Sequence, residues 1–138
     1  ETTLTALQPQ VVLTHWHGDL NVDHRRTYEA VLTATRPGTS AVRELYSFES
    51  PSSTEWSFGS PTFSPNVFVP LSDTALAAKL DAMACYVGEA RPSPHPRSHD
   101  ALTALARYRG AQSGFEAAEA FVLLRSLGVP GLLCLPSE

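Results

Sequence analysis

Hydrophobic and polar positions along this chain switch between two periods, and the switches mark its elements. Glu1-Thr2-Thr3-Leu4 reads as the tail of a helix, which Gln8-Pro9-Gln10 breaks. Val11-Val12-Leu13-Thr14 is a short, continuously apolar run, the pattern of a strand buried on both faces and so of a parallel sheet. A polar loop from His15 to Asn21 leaves its carboxyl end, where ligands gather in open α/β sheets. Asp23 is the expected N-cap of a helix reaching about Thr35, with Tyr28, Val31, Leu32 and Thr35 as its apolar stripe. Arg43 to Glu49 alternates as a strand, and Val67-Phe68-Val69 is a short one. Asp73 is placed to cap a second helix with Leu76, Leu80, Met83 and Val87 on one face. Ser98 caps a third, which Gly110 is expected to close. Glu119 to Leu124 fits either period and is taken as a strand. The alternation of strands and helices gives an α/β class.

Two segments are irregular. Ser50 to Asn66 is rich in Ser, Pro and Gly, with Trp56, Phe58 and Phe63 set into it, the character of a lid or a packed surface loop. Arg91 to Arg97 holds three prolines and is not helical.

The 138 residues suffice for one compact unit, with no linker or internal repeat dividing it. The net charge of −4 comes with scattered basic residues and no basic stripe, which argues against nucleic-acid binding. No apolar run nears the ~20 residues that span a bilayer. Cys85 and Cys134 lack metal or redox spacing, and Cys85 reads as a small buried apolar residue. A reducing, cytoplasmic compartment is the expectation.

Chemistry concentrates between His15 and Arg25, where three imidazoles and two carboxylates lie between a strand and a helix N-terminus. That terminus disfavours imidazolium, so His24 just inside it is biased toward the neutral form that binds zinc. A lone histidine there is more often a plain surface residue. A second reading makes His15 and His17, which share a face on extended backbone, a complete metal site with Asp19 or His24.

Thr14-His15, followed by Gly18-Asp19-Leu20-Asn21-Val22-Asp23-His24-Arg25, resembles the second metal motif of the PIG-L/LmbE-like zinc-dependent N-acetylglucosamine deacetylases. The likeness continues at residues 30–37, 47–56, 63–68 and 94–98, at Arg109-Gly110, and at Ala118-Glu119-Ala120-Phe121. The resemblance implies the C-terminal portion of a Rossmann-like, mostly parallel sheet flanked by helices. It implies zinc held by two histidines and an aspartate, and a lipid-linked or small-molecule amino sugar as substrate. His24 matches one zinc ligand and Asp23 the aspartate that supports it. Asn21 stands where many relatives have a histidine that polarises the substrate carbonyl. His15 matches the family's Thr-His pair, and Arg25 completes the motif on the substrate side. The His-Pro-Asp-Asp segment that carries the other ligands and the general base does not occur in these residues. The chain therefore reads as a partial domain, inactive alone, expected to self-associate or to pair with the absent half. The alternatives are a truncated, non-catalytic binding or assembly module, or one half of a split enzyme.

Elsewhere, Glu49 and Glu55 with Trp56 suggest a sugar-stacking wall, although loop carboxylates are usually just solvated. His95 and Arg97 lie in the proline-stiffened segment, suited to a hydroxyl-rich or anionic ligand, but an arginine there equally serves to anchor a loop.

Overall fold

A computed structural model of the chain describes residues 2–59 and 61–128; Cys134 lies outside them. Among the described residues four helices and four strands follow in the order α1 (Thr2–Leu7), β1 (Val11–His15), α2 (Val22–Ala34), β2 (Glu44–Phe48), β3 (Val67–Pro70), α3 (Asp73–Ala84), α4 (His99–Ser113) and β4 (Ala118–Ser126). The α/β class holds.

The strands form one sheet in the order β1-β2-β4-β3. β1 and β2 are parallel, joined through α2, with Val11 opposite Glu44 and His15 opposite Phe48. β4 inserts between β2 and β3 and runs antiparallel to both. The sheet of the described residues is therefore mixed, not mostly parallel. The ambiguous 119–124 run is a strand, because its alternate residues meet different neighbours: Ala118 and Ala120 are buried, while Phe121 meets Tyr46 across the sheet.

The core sits on one face of the sheet. By register, Thr14, Leu45, Ser47, Ala118 and Ala120 share that face, and all five are buried. α4 lays Leu102, Ala106 and Gly110 against it at a spacing of four residues, and α2 packs on β1. Burying a side chain such as Leu45 contributes about 1.5–3 kcal/mol. On the opposite face Val11 and Leu13 remain 52% and 53% exposed. Among the described residues β1 is thus an edge strand covered on one side, not the doubly buried strand its apolar run suggested.

Several local assignments shift for physical reasons. Asn21, not Asp23, is the N-cap of α2: its Oδ1 accepts the Asp23 N–H at 2.8 Å, and Asp23 falls in the first turn. Ser72, not Asp73, caps α3 by accepting the Ala75 N–H. Val87 lies beyond the end of α3 and is 97% exposed, so it is no part of that helix's apolar face, none of whose residues is fully buried. Cys85 is exposed rather than buried. Ser98 caps α4 as expected, but the helix passes through Gly110 and ends on Gly114 in the left-handed region, at φ 79°. Gly110 is needed for another reason. A Cβ there would lie 2.6 Å from the Phe115 carbonyl oxygen and 2.7 Å from the Ala117 backbone, so only hydrogen lets the helix meet the start of β4. No helix among the described residues is long and apolar enough to cross a membrane.

Candidate functional site

The site lies where β1 gives way to α2. Trp16 turns the chain inward: it is buried against Phe63, edge to face at 5.5 Å, and its indole Nε1 donates to the Pro61 carbonyl at 3.4 Å. Gly18 must pass beside that indole, since a Cβ there would stand 2.7 Å from Trp16 Nε1. The tight turn delivers Asp19 to a position with no solvent exposure.

A buried carboxylate requires compensating donors, and Asp19 has them. Its Oδ1 accepts the Asn21 N–H at 2.8 Å and lies 3.1 Å from His24 Nδ1. Its Oδ2 lies 3.0 Å from Ser53 Oγ and 3.1 Å from Thr54 Oγ1. Ser53 Oγ has one proton and a second acceptor within reach, the Ser50 carbonyl at 3.1 Å, so it serves one of the two at a time. These hydroxyls come from the long loop. Ser52 adopts φ 75°, held by Glu55 Oε1 accepting its N–H at 2.6 Å, and this bend aims the next two residues at Asp19. Arg25 closes the loop from the helix side, with Nη1 donating to the carbonyls of Asp19 at 2.6 Å and Leu20 at 2.8 Å.

His24 occupies the third position of α2 and keeps a quarter of its side chain in solvent. Asp19 Oδ1 lies 3.1 Å from its Nδ1 and Ser53 Oγ 3.5 Å from it, and the nearby carboxylate charge favours the tautomer with the proton on Nδ1, which leaves the Nε2 lone pair free. His15 stacks on it, ring centroids 4.0 Å apart and planes 24° from parallel, and Phe48 packs against His15 at 4.8 Å. Burial, reinforced by the neighbouring His24 and opposed by Asp19, holds the His15 imidazole below the usual histidine range. Its Nδ1 is buried without a partner. Asn21 uses its amide oxygen in the helix cap, so its Nδ2 hydrogens are the end left for a ligand.

The other residues singled out in the sequence divide. His17 turns away to Trp16 and Tyr28. Among the described residues no three His, Cys, Asp or Glu side chains could hold a metal ion, so the complete site imagined from His15 and His17 does not form. Asp23 is exposed, and the carboxylate behind His24 is Asp19 instead. Glu49 is taken by Arg109, whose Nε and Nη2 donate to its two oxygens at 2.8 and 2.6 Å. Arg97 pairs with Glu89, and its backbone N–H donates to His95 Nδ1 at 3.0 Å. His95 meets Trp56 edge to face at 5.4 Å.

Sequence reasoning passed over Asp19, Ser53 and Thr54 as a unit. The signals were faint: an aspartate two residues before an asparagine, as in a side-chain-stabilised turn, and a Ser-Ser-Thr run in a loop.

No family model matches this chain, and no curated protein matches it. Among solved structures it is similar to the conserved protein TT1542 from Thermus thermophilus, at 24% identity with a TM-score of 0.68. The match covers 94% of this chain and 58% of that one, so this chain spans little more than half its neighbour's length. At that identity the likeness establishes a shared fold.

Proposed function

We propose that this chain supplies one zinc ligand and an amide donor to a metal-dependent N-deacetylase acting on an N-acetylated amino sugar. The observation that supports this reading best is the Asp19–His24 pair. Histidines that bind metals donate their second ring N–H to a carboxylate or carbonyl, which sets the tautomer and raises ligand basicity. His24 Nδ1 stands 3.1 Å from such a carboxylate, Asp19, which is itself fully buried and held by hydrogen-bond donors of its own. His24 would hold the ion through Nε2. The remaining ligands and the general base would come from residues beyond this chain, either another part of the same polypeptide or a second one.

Zinc, when bound, activates water and polarises the acetyl carbonyl. The chain's own residues would position that chemistry. Asp19 fixes the His24 ring, and the Asn21 Nδ2 hydrogens donate to the carbonyl oxygen as negative charge develops on it. An amide delivers no proton, so another group protonates the departing amine. Burial and the neighbouring His24 disfavour the imidazolium form of His15, and with it a second positive charge near the ion.

The test is acetate release from N-acetylglucosamine glycosides by the complete natural protein loaded with zinc. His24→Ala is expected to lower zinc affinity and abolish release together. A zinc-loaded protein inactive on all such amides, or His24→Ala binding zinc normally, rules the reading out.

The exposed apolar face around Val11 and Leu13 favours a related reading, in which the chain works only when paired with another polypeptide segment.

A further inference from the structure

Beyond the Asp19–His24 site, the described residues hold an open cleft of ≈ 500 Å³ lined by Trp56 and the turn from Arg91 to Pro96. That volume falls in the range that takes a small ligand. Trp56 keeps 41% of its surface in solvent, whereas Trp16 is buried. Pro92, Pro94 and Pro96 make the remaining walls flat and apolar. The turn is fixed from within: the His95 N–H donates to the Pro92 carbonyl at 3.1 Å and the Ser98 N–H to the His95 carbonyl at 2.8 Å.

Polar groups of defined character stand at the rim. Because His95 Nδ1 accepts the Arg97 N–H, a neutral His95 carries its proton on Nε2 and offers it as a donor. Arg97 is occupied by Glu89. Arg91 has no hydrogen-bond or ion-pair partner among the described residues, and it also lines the cleft. A flat indole bordered by hydrogen-bond donors complements a ring with an apolar C–H face and a hydroxyl rim. It is less suited to a proline-rich peptide, which needs a row of aromatic residues where this cleft presents one.

The cleft adjoins the proposed metal site. Trp56 follows Thr54 by two residues, and Thr54 Oγ1 reaches Asp19 at 3.1 Å. Two residues of chain span at most ~7 Å. We propose that Trp56 and the 91–96 turn form a sugar subsite, in which one face of a pyranose ring rests on the Trp56 indole. The ring's hydroxyls accept hydrogen bonds from His95 Nε2 and Arg91. The assignment rests on the deacetylase reading and specifies how the substrate is held.

Binding and turnover test it separately, on the complete natural protein. With metal removed by a chelator, methyl N-acetylglucosaminide is titrated while the indole N–H signals are followed by NMR. The Trp56 signal is expected to move to saturation and the Trp16 signal to stay. In the zinc-loaded protein, Trp56→Ala is expected to raise KM on the order of tenfold with kcat little changed, and Trp56→Phe to restore most of the loss. Saturable binding that Trp56→Ala abolishes, without any acetate release, keeps the subsite and removes the hydrolase reading. Turnover with KM unchanged in Trp56→Ala does the reverse. A Trp56 signal that moves equally with glycerol, or only with a proline-rich peptide, overturns the sugar assignment.

Discussion

Asp19 is the residue on which the candidate site turns. It has no exposure, and its two oxygens collect a backbone N–H, an imidazole and two hydroxyls. Asp19→Asn keeps the shape but removes the charge, and its amide can present a donor where an acceptor is needed. A 10–100-fold loss of zinc affinity is expected, since that is what altering a ligand's supporting carboxylate generally costs. Isothermal titration of zinc into both forms of the complete protein measures it; equal affinities would remove Asp19 from the site. Asp19→Ala strands those donors as well, and thermal melts should show a destabilisation of about 1–3 kcal/mol. Glu49 calls for the opposite expectation. Its carboxylate is gripped at both oxygens by Arg109, with side chains only 16% and 11% exposed. Glu49→Ala should destabilise the fold by about 2 kcal/mol, because a mostly buried guanidinium loses its partner. KM for the glycosides should hardly change. A large KM effect with an unchanged melting temperature would return Glu49 to substrate binding.

Among the elements, contact between α4 and β4 depends on what is absent at Gly110. Alanine is the better helix former and would be favoured by up to about 1 kcal/mol at an ordinary helical position. Here a methyl would enter backbone atoms 2.6–2.7 Å away, which cannot yield as a side-chain tip can. Gly110→Ala is therefore expected to destabilise by about 1–3 kcal/mol, against its propensity, as read by chemical denaturation. Neutral or stabilising behaviour would mean that α4 can lift from the strand. β2 links the long loop to the sheet in a comparable way. Its Ser47 hydroxyl donates to the His15 carbonyl at 2.9 Å, so the strand end carrying His15 is tied to the strand that leads into the loop.

At the scale of the molecule, the sheet formed by the described residues is lopsided. α2 and α4 cover one face, while Val11, Leu13 and Val69 stay about half exposed on the other. β1 also leaves one edge of the sheet without a strand partner among the described residues. Apolar faces and open edges of this kind recruit further chain. These 138 residues produced alone are expected to associate, with sedimentation or light scattering showing dimers or larger species. Leu13→Lys should reduce that association by placing charge on the face. A clean monomer at micromolar concentration would show that the face tolerates water.

The order of residues was enough to specify the periodicities, and with them the α/β class, the positions of most elements, and the gathering of imidazoles and carboxylates between β1 and α2. Those are local properties: a strand's apolar run and a helix's cap depend on neighbours a few residues away. Which aspartate stands behind His24 was settled by folding, because the hydroxyls that let Asp19 be buried come from 34 and 35 residues further along. The pairing of Glu49 with Arg109 bridges 60 residues, and the insertion of β4 between β2 and β3 depends on pairings that are likewise distant in sequence, such as Glu44 with Ser126 and Val67 with Phe121. A carboxylate's role follows from what surrounds it, and only the folded chain brings those groups together.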